Sequence, residues 1–238
     1  MTSSISLSDM NIQILRKDIK NVHLNVLPPH GRVSISAPSR LSDEVLRAYV
    51  LSRLSWIRRQ QAAFRRQDRE EPREYLFLES HYVWGERYLL DIQDNAKRTS
   101  VERLHDKIVI SLHGQRSARK AEAALYAWYR QIVREKSAPI IEKWSKVLNV
   151  KPSKLIVSRM KTKWGACNPE SRNIRLNSEL AKKPLDCLEF IIVHELIHLI
   201  EPSHNEVFRS LINKHLPTWE ARRELLNSKP LAHETWSY

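Results

Sequence analysis

The chain has 238 residues, 42% hydrophobic and 28% charged, a balance that supplies a sizeable core and excludes wholesale disorder. Forty Lys and Arg stand against 27 Asp and Glu, and the net charge of +13 points to a polyanionic partner or substrate. Gly31, Gly85, Gly114 and Gly165 form neither GxGxxG nor GxxxxGK[ST], which excludes nucleotide sites of the Rossmann and P-loop kinds. Cys167 and Cys187 form no CxxC pair, so a disulfide scaffold and an all-thiolate zinc site are excluded. Residues Met1 to Ser6 have neither a basic nor an apolar leader segment, and with reduced cysteines this predicts a cytoplasmic protein. The most apolar run, Phe190 to Ile200, is about half a membrane span and contains His194, Glu195 and His198, so no membrane partner is expected.

Residues 11 to 37 alternate as strands, with Pro28-Pro29-His30-Gly31 as a turn. Ser42, followed by Asp43 and Glu44, predicts the start of a helix whose apolar stripe is Leu46, Tyr49, Val50, Leu54, Ile57 and Phe64. Its other face carries Arg47, Arg58, Arg59, Arg65, Arg66 and Arg69, a candidate nucleic-acid surface, and Pro72 marks its end. Residues 75 to 113 read as strands. Helical spacing then runs from Arg119 to Asn149, with Ser137-Ala138-Pro139 predicting a fresh start and hence two helices. Strands are expected at Leu155 to Met160 and Ile174 to Leu176. A helix from Pro184 to about Ile200 stops before Pro202, and short helices follow near 205–215 and 218–227. There is no internal sequence repeat. The fold class is α+β: residues 1–115 form an antiparallel, β-rich N-terminal region with one basic helix near 42–70, and residues 116–238 form a second domain.

His194-Glu195-Leu196-Ile197-His198 is HExxH in a helical run. Histidines at i and i+4 leave the same face one turn apart, so both imidazoles can reach one ion. Glu195, about 100° round the helix, is placed to hold a metal-activated water and take its proton. Composition produces HExxH by chance only about 0.03 times in such a chain, so the match is informative. A catalytic zinc site needs three protein ligands and one open position. His204 is the obvious third, with Pro202 turning the chain back. The spacing is that of the metzincin motif, except that Glu201 stands where a Gly is usual, and Glu201 and Glu206 remain competing ligands. The expected cofactor is one zinc per chain, or another divalent metal.

Residues 151 to 183 hold nine Lys or Arg against Glu170 and Glu179, a net charge of +7 immediately before the HExxH run. A strand over 155–163 would put Arg159, Lys161 and Lys163 on one face as candidate substrate contacts. Trp164 is a further candidate, or a hairpin anchor, and Cys167 reads as a small buried residue.

The run Trp164-Gly165-Ala166-Cys167, then Ile174-Arg175-Leu176-Asn177 with Ser178-Glu179-Leu180, then Val193-His194-Glu195-Leu196-Ile197-His198 and His204, resembles the YgjP-like metallopeptidase family, a relative of the SprT-like and WLM zincins. In that family the segment after the third His usually reads HSxxFW; here Arg209 follows Phe208. The resemblance implies His194, His198 and His204 as ligands and Glu195 as the catalytic carboxylate. It also implies a zincin-like domain with a small sheet and an active-site HExxH helix. Members are usually called metal-dependent hydrolases, and some are assigned pyrophosphatase activity on nucleoside triphosphates, especially UTP. The expected function is a zinc-dependent metallohydrolase, foremost a metallopeptidase acting on a peptide. The alternatives are a nucleotide pyrophosphatase acting on an anionic substrate and a nucleic-acid-associated protease or binding protein.

Overall fold

Alternating apolar residues build the first unit of the chain in a computed structural model that describes residues 2–7, 10–27, 31–66, 73–160 and 163–228. Strands β1 (Thr2–Leu7), β2 (Met10–Lys17), β3 (His23–Leu27) and β4 (Arg32–Pro38) form a sheet in the order β1-β2-β4-β3. The central β2–β4 pair is parallel and the outer pairs are antiparallel, so the expected purely antiparallel region is a mixed sheet. One face of the alternation, Ile5, Ile12, Ile14, Val33 and Ile35, is buried. Ser42 does cap a helix, its Oγ accepting from the Val45 N–H at 3.4 Å. The single helix expected there is two, α1 (Asp43–Ser52) and α2 (Leu54–Arg66), which divide at Arg53. The break lets Leu46 and Val50 of α1 and Ile57 of α2 all enter the same core. Arg47, Arg58, Arg59 and Arg65 are exposed. The predicted turn residues 28–30, Arg69, Pro72 and Lys161 lie outside the described residues.

The second unit begins with β5 (Ser80–Val83), β6 (Glu86–Ala96), β7 (Ser100–Arg103) and β8 (Lys107–His113), in the order β5-β6-β8-β7. Here too the central pair is parallel and the outer pairs antiparallel. The first sheet's topology is thus repeated, with no repeat of its sequence. Helix α3 (Ala118–Leu148) follows, capped by Ser117 and ended by Asn149 in the left-handed region at φ 52°. It is one helix, not two, with Pro139 inside it. An interior proline costs about 3 kcal/mol. Tyr129 and Val133 before it and Trp144 and Leu148 after it are all buried in one core, each contributing about 1.5–3 kcal/mol, which outweighs the cost.

Strands β9 (Lys154–Ser158), β10 (Gly165–Asn168) and β11 (Asn173–Asn177) make a small sheet, β10-β11-β9, with β9 parallel and β10 antiparallel to β11. A 3₁₀ turn (Ser178–Lys182) leads to α4 (Leu185–Ile197), α5 (Glu206–His215) and α6 (Trp219–Ser228). The β5–β6 turn is tied to the 3₁₀ segment: the Trp84 N–H donates to the Ala181 carbonyl at 2.7 Å, and Gly85, at φ +87°, packs against Pro184. The two compact units are residues 1–71 and 72–229, whereas the sequence divided the chain near 115. Strands β5–β8 belong with the second unit because Val83, Leu90 and Ile110 share one apolar core with Tyr129 of α3 and Ile192 of α4.

Glu189 locks three helices of that unit together. Its carboxylate accepts from Trp144 Nε1 at 2.8 Å, Lys143 Nζ at 3.0 Å and Arg222 Nη1 at 2.6 Å. Partial burial works against its charge, but these hydrogen bonds pull its pKa down to about 2. A carboxyl depressed on folding stabilises above its unfolded pKa and loses that contribution as pH falls through the folded value. Glu189→Gln should therefore lower stability in urea unfolding by about 1.5–3 kcal/mol at pH 7, with the difference from wild type shrinking as pH falls from about 5 toward 2.

Candidate metal centre

Helix α4 is apolar on nearly every side, and such a helix is stable only when buried all round. Cys187, Leu188, Phe190, Ile191, Ile192, Val193, Leu196 and Ile197 are all buried. His194 and Glu195 lie in its last turn and His198 caps it. Beyond the cap the chain tightens, the Leu199 and Ile200 N–H groups donating to Leu196 and Ile197 at 3.1 and 2.8 Å. The Glu201 carboxylate then accepts from the Ser203 N–H at 2.9 Å, which closes the turn at Pro202. Glu201 is not among the residues with positive φ, so the turn needs no glycine at this position. Asn205 next caps α5, accepting from the Phe208 N–H at 3.1 Å.

This path returns His204 to α4. Its Nε2 lies 3.0 Å from His194 Nε2 and 3.1 Å from His198 Nε2, and the three donor atoms lie within 4.8 Å of one another. Neither Glu201 nor Glu206 belongs to the group. His198 Nδ1 stands 3.0 Å from the Glu201 carbonyl, which can only accept, so Nδ1 carries the proton and Nε2 turns its lone pair to the centre. Burial, with the charges of His198, His204 and Arg223, pushes the His194 pKa down to about 3. Burial also lowers that of His198, although the Glu201 carbonyl opposes it. Neutral imidazoles converging on one point fit a cation, and tetrahedral zinc with bonds of about 2.0–2.1 Å places its nitrogens about 3.3 Å apart.

Phe208 closes the site from beneath. Its ring centroid lies 4.9, 4.8 and 4.8 Å from those of His194, His198 and His204. Glu195 is only 5% exposed, and burial raises its pKa to about 8 against the opposing Lys163 ammonium. Its carboxylate is held against β10: a Cβ added at Gly165 would meet Glu195 Oε1 at 2.6 Å and Ile191 Cγ2 at 2.8 Å. Cys167, two residues on, is half-buried, and burial with the Glu195 charge pushes its thiol up to about 11. It is not one of the clustered donors.

The cationic segment departs from the expected strand. β9 ends at Ser158, so Arg159 and Lys163 do not alternate along it. Arg159 donates to Glu122 at 2.9 Å and lies 4.1 Å above the Tyr126 ring, and so is engaged elsewhere. Lys163 is exposed, and its charge reaches both Glu195 and His198. Trp164 is half-buried under Lys183, whose Nζ is 5.3 Å from the ring. Buried Asn177 holds the described residues on either side, its Nδ2 donating to the Met160 and Lys163 carbonyls at 2.8 and 2.9 Å. The roles of Asn177 and Phe208 were not read from the sequence. Phe208 carried a signal, as the apolar residue four positions after His204.

The family model for the YgjP-like metallopeptidase domain matches residues 20–229. No curated protein matches the chain. Among solved structures it is similar to the metallopeptidase zymogen of Pyrococcus abyssi abylysin, with 19% identity and a TM-score of 0.33, over 37% of this chain and 85% of that one. It is also similar to the zymogen of Methanocaldococcus jannaschii jannalysin, with 25% identity and a TM-score of 0.32, over 37% and 81%. No helix among the described residues is long and apolar enough to cross a membrane.

The close approach of Gly165 to Glu195 generates a prediction. Gly165→Ala forces β10 and α4 apart and should cost about 1–3 kcal/mol, seen as a lower thermal midpoint, while Ala166→Ser next to it should change stability by less.

Proposed function

The chain belongs to the YgjP-like metallopeptidase family, and from that premise we propose that it is a zinc-dependent peptidase in which His194, His198 and His204 hold the metal and Glu195 is the general base. The observation that carries this reading is the convergence of three imidazole nitrogens at 3.0 and 3.1 Å beside one buried carboxylate. Zinc, when bound, supplies a Lewis acid that polarises a carbonyl and acidifies water.

The protein's own groups do the rest. The Glu201 carbonyl orients His198 through its Nδ1–H. The backbone of Gly165 lies against the Glu195 carboxylate where a side chain would collide, which limits the positions the carboxylate can take. The raised pKa of Glu195 makes it a stronger base than a solvated carboxylate, and a nearby dication acts in the opposite direction to keep it ionised. It takes a proton from the attacking water and can return that proton to the leaving amine. Among the described residues β10 pairs only with β11, so its second edge is open to an extended peptide, which would gain main-chain hydrogen bonds there. β10 is a better candidate for such contact than the 155–163 segment, because Gly165 and Cys167 lie beside Glu195.

A nucleoside triphosphate is the second reading, and exposed Lys163 favours it. It is weakened by Arg159, whose charge already serves Glu122.

Glu195→Gln should retain zinc while peptide hydrolysis falls by about two to four orders of magnitude, the range for a lost general base. Metal analysis alongside single-turnover kinetics checks it, and a near-normal rate would remove Glu195 from the mechanism.

His204→Ala should lower zinc content as strongly as His198→Ala. Full zinc in the first variant and none in the second would place the third ligand elsewhere.

A further inference from the structure

The helix pair of the first unit carries charge of one sign and one chemical kind. Between Val45 and Gln67 stand six arginines and no lysine, aspartate or glutamate. Arg47, Arg53, Arg58, Arg59 and Arg65 are exposed. A helix face that is merely solvated interleaves its signs, as on α3, where Lys146 meets Glu142 one turn away at 2.8 Å. Like charges a turn apart work against a helix, and a bound polyanion removes that repulsion.

The seating of α2 decides which residues it presents. Leu54 and Ile57 pack into the core of the unit, and Gln61 Nε2 donates to the Gly31 carbonyl at 2.9 Å. At about 100° per residue, Trp56 and Arg59 fall on the side turned away from these three. Trp56 is 37% exposed, whereas Ile57 beside it is wholly buried. Arg53 precedes Trp56 by three positions, and its carbonyl accepts from the Ile57 N–H at 3.0 Å, so it already follows the helical turn. Arg53, Trp56 and Arg59 are therefore successive i, i+3 neighbours, with an aromatic ring between two guanidinium side chains. The Arg53 guanidinium also lies 6.0 Å from the Tyr49 ring centroid, which brings α1 to the same surface. Arg58 and Arg65, seven residues apart, carry the positive charge about 10 Å along the axis.

The surface itself selects among polyanions. An amphipathic helix binds a membrane through its apolar face, and that face of α2 is used by the core. The guanidinium fork matches phosphate oxygens, and an exposed indole offers a platform for a base. In a duplex the bases are stacked on one another, so the indole reaches a base face only on a single strand. We propose that α1 and α2 bind a single-stranded nucleic acid, with Trp56 stacked on a base and Arg53 and Arg59 on phosphates to either side of it. Phosphates and base faces are common to DNA and RNA, so both fit. This surface is separate from the three-histidine centre and does not depend on the chemistry there.

The test is fluorescence anisotropy of the full-length protein with a labelled oligothymidylate, an oligouridylate of equal length and a DNA duplex. Both single strands should bind, with a log–log salt slope of about −2 to −3 from three or four phosphate contacts at about 0.7 each. Arg59→Ala and Arg65→Ala should each flatten that slope by about 0.7. Trp56→Ala should weaken single-strand binding by about 5- to 150-fold, the worth of one base stack, while leaving the slope and duplex binding unchanged. Trp56→Phe keeps a ring and should recover most of the loss. All three positions are exposed, so an unchanged thermal midpoint controls for folding. If Trp56→Ala affects duplex and single strand alike, or neither, base stacking and the choice of a single strand are overturned. Oligonucleotide binding untouched in the Arg59→Ala, Arg65→Ala double variant overturns the surface altogether. So does binding to phosphatidylserine vesicles with none to any oligonucleotide.

Discussion

The burial of α4 from Cys187 to Ile197 is the constraint on which the rest of the centre depends. Apart from its exposed first residues, Leu185 and Asp186, the helix is buried along most of its length, so the polar groups in its last turn lose water when the unit folds. His194 and Glu195 are such groups, and burial moves both toward their neutral forms. For the histidine this exposes a lone pair in place of a positive charge. For the glutamate it raises the carboxylate's affinity for a proton. The hydrophobic effect that fixes the helix is thus the largest cause of both shifts, with neighbouring charges adding to that of His194 and opposing that of Glu195.

A buried carboxylate must also be held, and here backbone takes the place of side chain. Gly165 lets β10 come against Glu195 where any Cβ would collide. The small sheet β10-β11-β9 positions that strand at its edge. Asn177, at the end of β11, donates through its amide to the Met160 and Lys163 carbonyls and so sets where the Lys163 backbone lies. Arg159 is drawn away by Glu122 and Tyr126.

The two four-stranded sheets share one plan, a parallel central pair flanked by antiparallel outer strands. A common topology without a common sequence is physically ordinary, because main-chain hydrogen bonds and period-two burial constrain the pattern of residues rather than their identity. The strands themselves are visible in the alternation of Ile12, Ile14, Val33 and Ile35, but their pairing is not. Whether neighbours run parallel depends on connections that cross the sheet, and alternation is blind to direction. Similarly, Pro139 reads locally as a helix start, yet α3 runs through it because burial on both sides is worth more than one lost hydrogen bond.

The sequence by itself determined the i, i+4 pair His194 and His198, the carboxylate between them and the helix that must carry them, since all of these lie within a few residues and follow from 3.6-residue geometry. It also limited the third donor to His204 or a nearby carboxylate. Only the tertiary structure brings the His204 imidazole beside the other two. That placement rests on the turn closed by Glu201 and Ser203, on the cap at Asn205 and on the Phe208 ring beneath all three histidines. The division of the chain at 71/72, the seat of Glu195 against Gly165 and the engagement of Arg159 with Glu122 likewise belong to the folded chain. Each joins residues tens of positions apart, and contacts of that range are set by packing and by competition among all the charges present, which no local spacing records.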